Sequence, residues 1–197
     1  NGHIYIGYFM DFYGGSHREI GVKKIDTLGR EVWSTKYNSE DKLSSLRELE
    51  VSADKHLLLS SRVVYYEIYG GFPQLMKVDE DGNVVWKATS TEKNANGLDP
   101  VWIAQLSNGQ IVQSYKVDKR RDIEFGRNGW NVEPMRMKWY NAQGDLIQER
   151  LLINKESHQH VTSFSQLEGG NGDYFFAYGS FNDYLSDQHY GLLIKFD

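Results

Sequence analysis

Lys24-Ile25-Asp26-Thr27-Leu28-Gly29-Arg30-Glu31-Val32-Trp33 decides the reading of this chain, because the same pattern returns as Lys77-Val78-Asp79-Glu80-Asp81-Gly82-Asn83-Val84-Val85-Trp86. A degenerate third copy runs Trp139-Tyr140-Asn141-Ala142-Gln143-Gly144-Asp145-Leu146-Ile147-Gln148, and a fourth begins at Gly191-Leu192-Leu193-Ile194-Lys195-Phe196-Asp197. Each copy reads as an alternating strand, an Asp/Asn-x-x-Gly turn and a second short apolar strand. Asp or Asn at the first turn position bonds the backbone beyond it, and Gly supplies the positive φ that closes the hairpin. A second hairpin precedes three of the copies: Leu49–Leu59 around Asp54-Lys55, Ile103–Val112 around Asn108-Gly109, and Phe164–Phe176 around Gly169-Gly170-Asn171-Gly172. Each unit is therefore four antiparallel strands, A to D.

Four-stranded units repeating every ~55 residues without helical periodicity point to an all-β chain, a β-propeller of four-stranded antiparallel blades. A β-solenoid repeats at a shorter period, and an immunoglobulin-like sandwich does not repeat one hairpin signature. Asn1-Gly2 aligns with the A–B turn at Asn108-Gly109, and Asp197 aligns with the first residue of a C–D turn. The expected inventory is BCD, ABCD, ABCD, ABC, about three and a half blades where closed propellers have about four to eight. The blade segments fall at approximately 1–36, 37–89, 90–151 and 152–197 of a single partial propeller domain. The expectation is a segment of a longer chain, continuous with further blades.

Composition narrows the function classes. The 197 residues carry 22 Lys and Arg against 27 Asp and Glu, a net charge of −5, and no cysteine. Disulfides, thiol nucleophiles, zinc knuckles and iron–sulfur clusters are excluded. The mild acidity argues against a nucleic-acid partner, and no apolar run approaches the roughly 20 residues of a spanning helix. A Gly-x-Ser-x-Gly elbow, a phosphate-cradling glycine loop and a His-Glu-x-x-His pair are all absent from the sequence.

The Lys-Ile-Asp-x-x-Gly-x-x-x-Trp windows resemble two related groups. One is the PQQ-type propellers, whose blades end in a Trp-docking motif; the other is the secreted propeller proteins of Bacteroidetes-type bacteria, with strands near Lys-Ile-Asp-Thr-Leu-Gly-Asn-x-x-Trp. Lys24–Trp33 matches the second almost residue for residue, and Lys77–Trp86 matches it with Glu80-Asp81 in the turn. The resemblance implies an extracellular or cell-surface protein, with the periplasm as the alternative compartment. The Ala that opens the docking motif of PQQ enzymes and their cofactor-contacting residues are not found, so no cofactor is expected. Asp26-Thr27-Leu28 also fits the acceptor pattern for O-linked glycans in that group, which makes Thr27 a candidate glycosylation position; turn chemistry alone also explains Asp26.

The A–B and C–D turns are short and stereotyped, whereas the B–C connections vary and hold the unusual residues. They are 11–18, 65–73, 118–134 and 182–190. Binding residues concentrate on loops held by a rigid scaffold, and Tyr, Trp and Arg anchor ligands there. The candidate ligand-binding residues are Tyr65, Tyr66, Tyr69, Arg120, Arg121, Arg127, Trp130, Tyr184, His189 and Tyr190. The competing reading is that these aromatics pack the loops onto their blades, and that Lys119-Arg120-Arg121 is a solvated cluster paired with Asp118, Asp122 and Glu124. His158 and His160 sit two apart, on one side of a strand, and form a candidate metal pair that lacks a third ligand; a hydrogen-bonding pair at the rim is the alternative. Asp79-Glu80-Asp81-Gly82-Asn83 starts like a calcium loop, but its twelfth position is Ser90 rather than Glu, and the hairpin explains it without metal.

The leading expectation is a non-catalytic secreted or cell-surface propeller that binds a glycan or protein through its B–C loop face. Behind it stand a structural spacer or cargo domain of a larger surface protein, and a propeller enzyme of arylsulfotransferase-like or glycan-active type.

Overall fold

The structure is a computed structural model that describes residues 2–11, 18–37, 42–65, 71–91, 101–117, 135–152, 159–169, 174–183 and 188–196. Fourteen strands and no helix are found among them. They fall into two compact units, 1–91 and 92–197.

In the first unit, β1 (Ile4–Asp11), β2 (Arg18–Ile25) and β3 (Glu31–Tyr37) form one antiparallel array, and β4 (Lys42–Val51), β5 (Leu57–Tyr65), β6 (Phe72–Val78) and β7 (Val84–Thr89) a second. A single parallel bridge, Arg18 to Leu43, links them. In the second unit, β8 (Trp102–Gln105), β9 (Ile111–Lys116), β10 (Met135–Tyr140) and β11 (Leu146–Leu152) form a third array. The fourth contains β12 (Gln159–Gly169), β13 (Phe175–Asp183) and β14 (Gln188–Phe196). Except for that bridge, every pairing among the described residues joins sequence neighbours in antiparallel sense, in arrays of three, four, four and three strands.

Five turns share one backbone geometry. In 26–30, 52–56, 79–83, 106–110 and 141–145 the first N–H donates to the fifth carbonyl, and the fourth N–H donates to the first carbonyl. The fourth residue is left-handed: Gly29 (φ 78°), Gly82 (88°), Gly109 (83°) and Gly144 (88°), with Lys55 (66°) the exception. This is a type I turn closed by a left-handed residue, the standard three-residue hairpin loop. In the C–D turns, Asp26 Oδ1 accepts from the N–H of Leu28 and Arg30, Asp79 Oδ1 from Asp81 and Asn83, and Asn141 Oδ1 from Gln143 and Asp145, all at 2.8–3.0 Å. The A–B turns move the capping residue two places along, to Asp54 and to Asn108, whose Oδ1 accepts from the Gln110 N–H at 2.9 Å.

Strand alternation then builds each core. Register pairs Tyr5 with Lys24 and Lys24 with Trp33, so these share a face with Val22, Ile20 and Tyr37. That face meets Leu57, Leu59, Met76 and Val78 of the second array, flanked by Leu46 and Leu49. Full burial of side chains such as Leu57 and Leu59 stabilises the fold by roughly 1.5–3 kcal/mol each. Gly7 leaves room for Leu46, whose side chain would have to shift to admit a Cβ there. In the second unit, Ala104, Val112, Met135, Met137 and Trp139 pack on Phe175 and Ala177, with Phe175 stacked on Phe196 at 4.8 Å.

Trp33 is half-buried, and its indole edge has a polar task. Its Nε1 donates to the carbonyl of Glu80 at 2.7 Å, and the Tyr37 hydroxyl donates to the carbonyl of Gly82 at 3.1 Å. A Cβ on Gly82 would lie 2.8 Å from Thr35 Oγ1 and 3.2 Å from the Trp33 ring. The C–D turn of the second array is thus clamped by the D strand of the first. At Gly29 a Cβ meets nothing within 4 Å. Gly29→Ala is expected to cost about 1–2 kcal/mol for the left-handed backbone alone, and Gly82→Ala roughly 1–3 kcal/mol more from overpacking. Urea unfolding of the two variants measures the difference, and equal losses would show that Trp33 does not bear on the turn.

Candidate functional site

Antiparallel register puts the A–B and C–D turns at one end of each array and the B–C connections at the other. The pairs Asp11–Arg18, Val63–Phe72, Lys116–Met135 and Asp183–Gln188 open the four B–C connections. Of the sequence candidates, Tyr66, Tyr69, Arg120, Arg121, Arg127, Trp130, Tyr184 and His158 lie outside the described residues. Tyr65, His160 and His189 are described by backbone only: Tyr65 pairs with Lys42, and Asn182 pairs with both His160 and His189 in one row across β12, β13 and β14. Tyr190, on β14, is 39% exposed. Thr27 is exposed in its turn, beside Leu28. No group of three or more His, Cys, Asp or Glu placed to hold a metal is found among the described residues.

The described cavity lies at the opposite end, in the first unit. A cleft of about 700 Å³ is lined by Gly2, His3 and Tyr5 at the start of β1, Val51 and Lys55 of the A–B hairpin, and Glu80 of the C–D turn. Lys24 and Trp33 tie the surroundings of this cleft together. Lys24 Nζ donates to the same Glu80 carbonyl at 3.0 Å and lies 5.6 Å from the centre of the Tyr5 ring. The Tyr5 and Trp33 rings are 6.2 Å apart. A lysine buried this deeply is tolerable because its charge meets a carbonyl and an aromatic face.

Lys77 holds the same motif position in the next repeat and is also buried, but it has a different partner. Its Nζ donates to Asp54 Oδ2 at 2.6 Å, while Ser52 Oγ donates to the other carboxylate oxygen. Desolvation pushes the Asp54 carboxyl up, but it is outweighed by the Lys77 and Ser52 hydrogen bonds and by the Lys77 and His56 charges, so Asp54 stays well below the usual carboxylate range. Tyr37 is driven the other way: burial, then the Asp79 charge, push its hydroxyl up to about 12, which keeps it a donor to Gly82.

The second unit buries a polar row on one face of the third array, comprising Gln113, Arg136, Lys138 and Tyr140. The Tyr140 hydroxyl donates to Gln113 Oε1 at 3.4 Å, and burial followed by the Glu149 charge pushes it up to about 12. Arg136 and Lys138 share Glu149, at 3.3 and 3.8 Å.

Sequence reasoning missed the cleft, although one signal for it was present. The turn Ser52-Ala53-Asp54-Lys55-His56 aligns with Leu106-Ser107-Asn108-Gly109-Gln110, so Lys55 stands where the geometry asks for Gly. No protein-family profile and no curated protein matches the chain.

Two outcomes follow from this geometry. Lys55→Gly is expected to raise stability by about 1 kcal/mol by relieving the left-handed backbone, read as a higher urea midpoint. Asp54 contributes stability that is complete above its unfolded pKa near 4 and disappears as pH falls through its lower native value. Asp54→Asn is therefore expected to cost about 1 kcal/mol at pH 7, discounted because half of the carboxylate faces solvent. Its deficit relative to the parent chain should shrink on acidification below pH ~4. A deficit that persists unchanged at low pH would show that the Asp54 charge is not what stabilises Lys77.

Proposed function

We propose that the chain is part of a secreted or cell-surface β-propeller that binds a glycan or protein partner, without catalysis, through the B–C ends of its blades. The observation that carries this reading is the division of labour within the first three arrays. One end is closed by short hydrogen-bonded turns, and the other carries connections rich in Tyr, Trp and Arg on strands held in register. Loops of variable length on a rigid sheet scaffold suit recognition. The blade-to-blade reading is supported by the Trp33 clamp on the turn of the following array. It is supported further by Ile4 and Ile6, which lie on the β1 face opposite Tyr5 and are 55% and 44% exposed, as expected of a surface that meets another blade.

The test is a glycan array followed by titration of the strongest hit. Alanine at Tyr66, Trp130 or Tyr184 should weaken binding by tenfold or more while leaving the melting temperature within about 2 °C of the parent. Variants that lose folding together with binding would assign these aromatics to packing and overturn the reading.

A further inference from the structure

We infer that the cleft at the turn end of the first unit is a second binding site, for a small zwitterion with an apolar body, of the kind an α-amino acid presents. The inference is independent of the B–C loop reading, since it concerns the other end of the strands. It starts from charges that have no partner among the described residues. Lys77 is matched by Asp54, and Lys24 by a carbonyl and the Tyr5 ring. Lys55 and Glu80 line the same cleft, yet no ion pair joins them, and neither side chain pairs with another described residue. A ligand that satisfies both must carry both signs. An inorganic anion or a simple amine would meet one attraction and one repulsion.

The second observation is where Lys55 stands. Its φ of 66° is the left-handed conformation that the four other turns give to Gly. A side chain held at that position costs strain that glycine avoids, and strained residues collect at ligand sites. Lys55 lines the cleft. Tyr5 and Val51 supply the apolar lining, with Val51 52% exposed. A carboxylate on Lys55, an ammonium on Glu80 and an aliphatic side chain against Val51 and Tyr5 use every class of group the cleft presents, with His3 as a further polar wall. At about 700 Å³ the cleft has room for a ligand of this size.

The experiment is calorimetric titration of the full chain with three probes: L-leucine, N-acetyl-L-leucine (no ammonium) and L-leucinamide (no carboxylate). Saturable binding of L-leucine is expected, with each single-charge probe at least tenfold weaker. Lys55→Gly, which favours the turn backbone and so keeps the fold, should weaken L-leucine at least tenfold and leave L-leucinamide unchanged. Glu80→Gln, which keeps the carbonyl that Trp33 and Lys24 use, should weaken L-leucine and spare N-acetyl-L-leucine. Absence of L-leucine binding overturns the inference. So does equal affinity for N-acetyl-L-leucine, which would make this an anion site, and so does unchanged L-leucine binding in Lys55→Gly.

Discussion

The carbonyl of Glu80 is the point on which the first unit turns. It accepts from Trp33 Nε1 and Lys24 Nζ, two side chains of the preceding array. A carbonyl oxygen has two lone pairs, and in a tight turn it would otherwise face solvent. Here both are used, one by an indole and one by a cation, so the turn of one array fixes the last strand of another. The arrangement requires a turn that offers its second carbonyl outward, a Gly two residues later thin enough for the Trp33 ring to approach, and a Trp exactly seven residues after a capping Asp. The repeat spells out those requirements. In the first copy, Lys24 and Trp33 are explained by contact between arrays as much as by the hairpin itself.

The buried lysines show how one motif position is used in two ways. Lys24 and Lys77 both precede the capping Asp by two residues, on strands whose other inward positions are apolar. Long aliphatic stems let them cross the packed layer and deliver the ammonium near its edge. What waits there differs: the Glu80 carbonyl and Tyr5 for Lys24, the Asp54 carboxylate for Lys77. The third copy departs from the pattern. Trp139 takes the place of the lysine and packs edge-on to Phe175 at 6.2 Å, while Gln148 takes the place of the tryptophan. The equivalence of repeats lies in backbone geometry, and side-chain chemistry is free to vary on it.

This explains what was legible in the sequence. Local chemistry wrote the turns: Asp26, Asp79 and Asn141 cap them through Oδ1, and Gly29, Gly82, Gly109 and Gly144 close them, so strand number and order followed from spacing alone. The partner of Trp33 was not legible, because the hydrogen bond spans 47 residues and nothing near Glu80 announces a donor from elsewhere. The pairing of Lys77 with Asp54 was hidden for the same reason, as was the cleft, whose walls come from the start of β1 and from two turns of another array. Residues such as Tyr66, Trp130 and Tyr184 were selected by type and position in B–C connections, a criterion that says nothing of what they touch.

The two ends of the strands accordingly answer to different constraints. At the turn end the first, fourth and fifth residues of the five-residue loop are held by backbone hydrogen bonds, and the fourth also by a positive φ, so variation falls on the side chains between them. Lys55 is the instructive exception, since it breaks the backbone preference and keeps a charge. At the B–C end, the register holds the strands up to pairs such as Lys116–Met135, and the entropy of closing a connection there grows slowly with its length. A 17-residue connection such as 118–134 is therefore cheap for the scaffold to carry. The same physics that makes the turn end uniform lets the length and sequence of the B–C connections vary without disturbing the hydrogen bonds that hold the strands together.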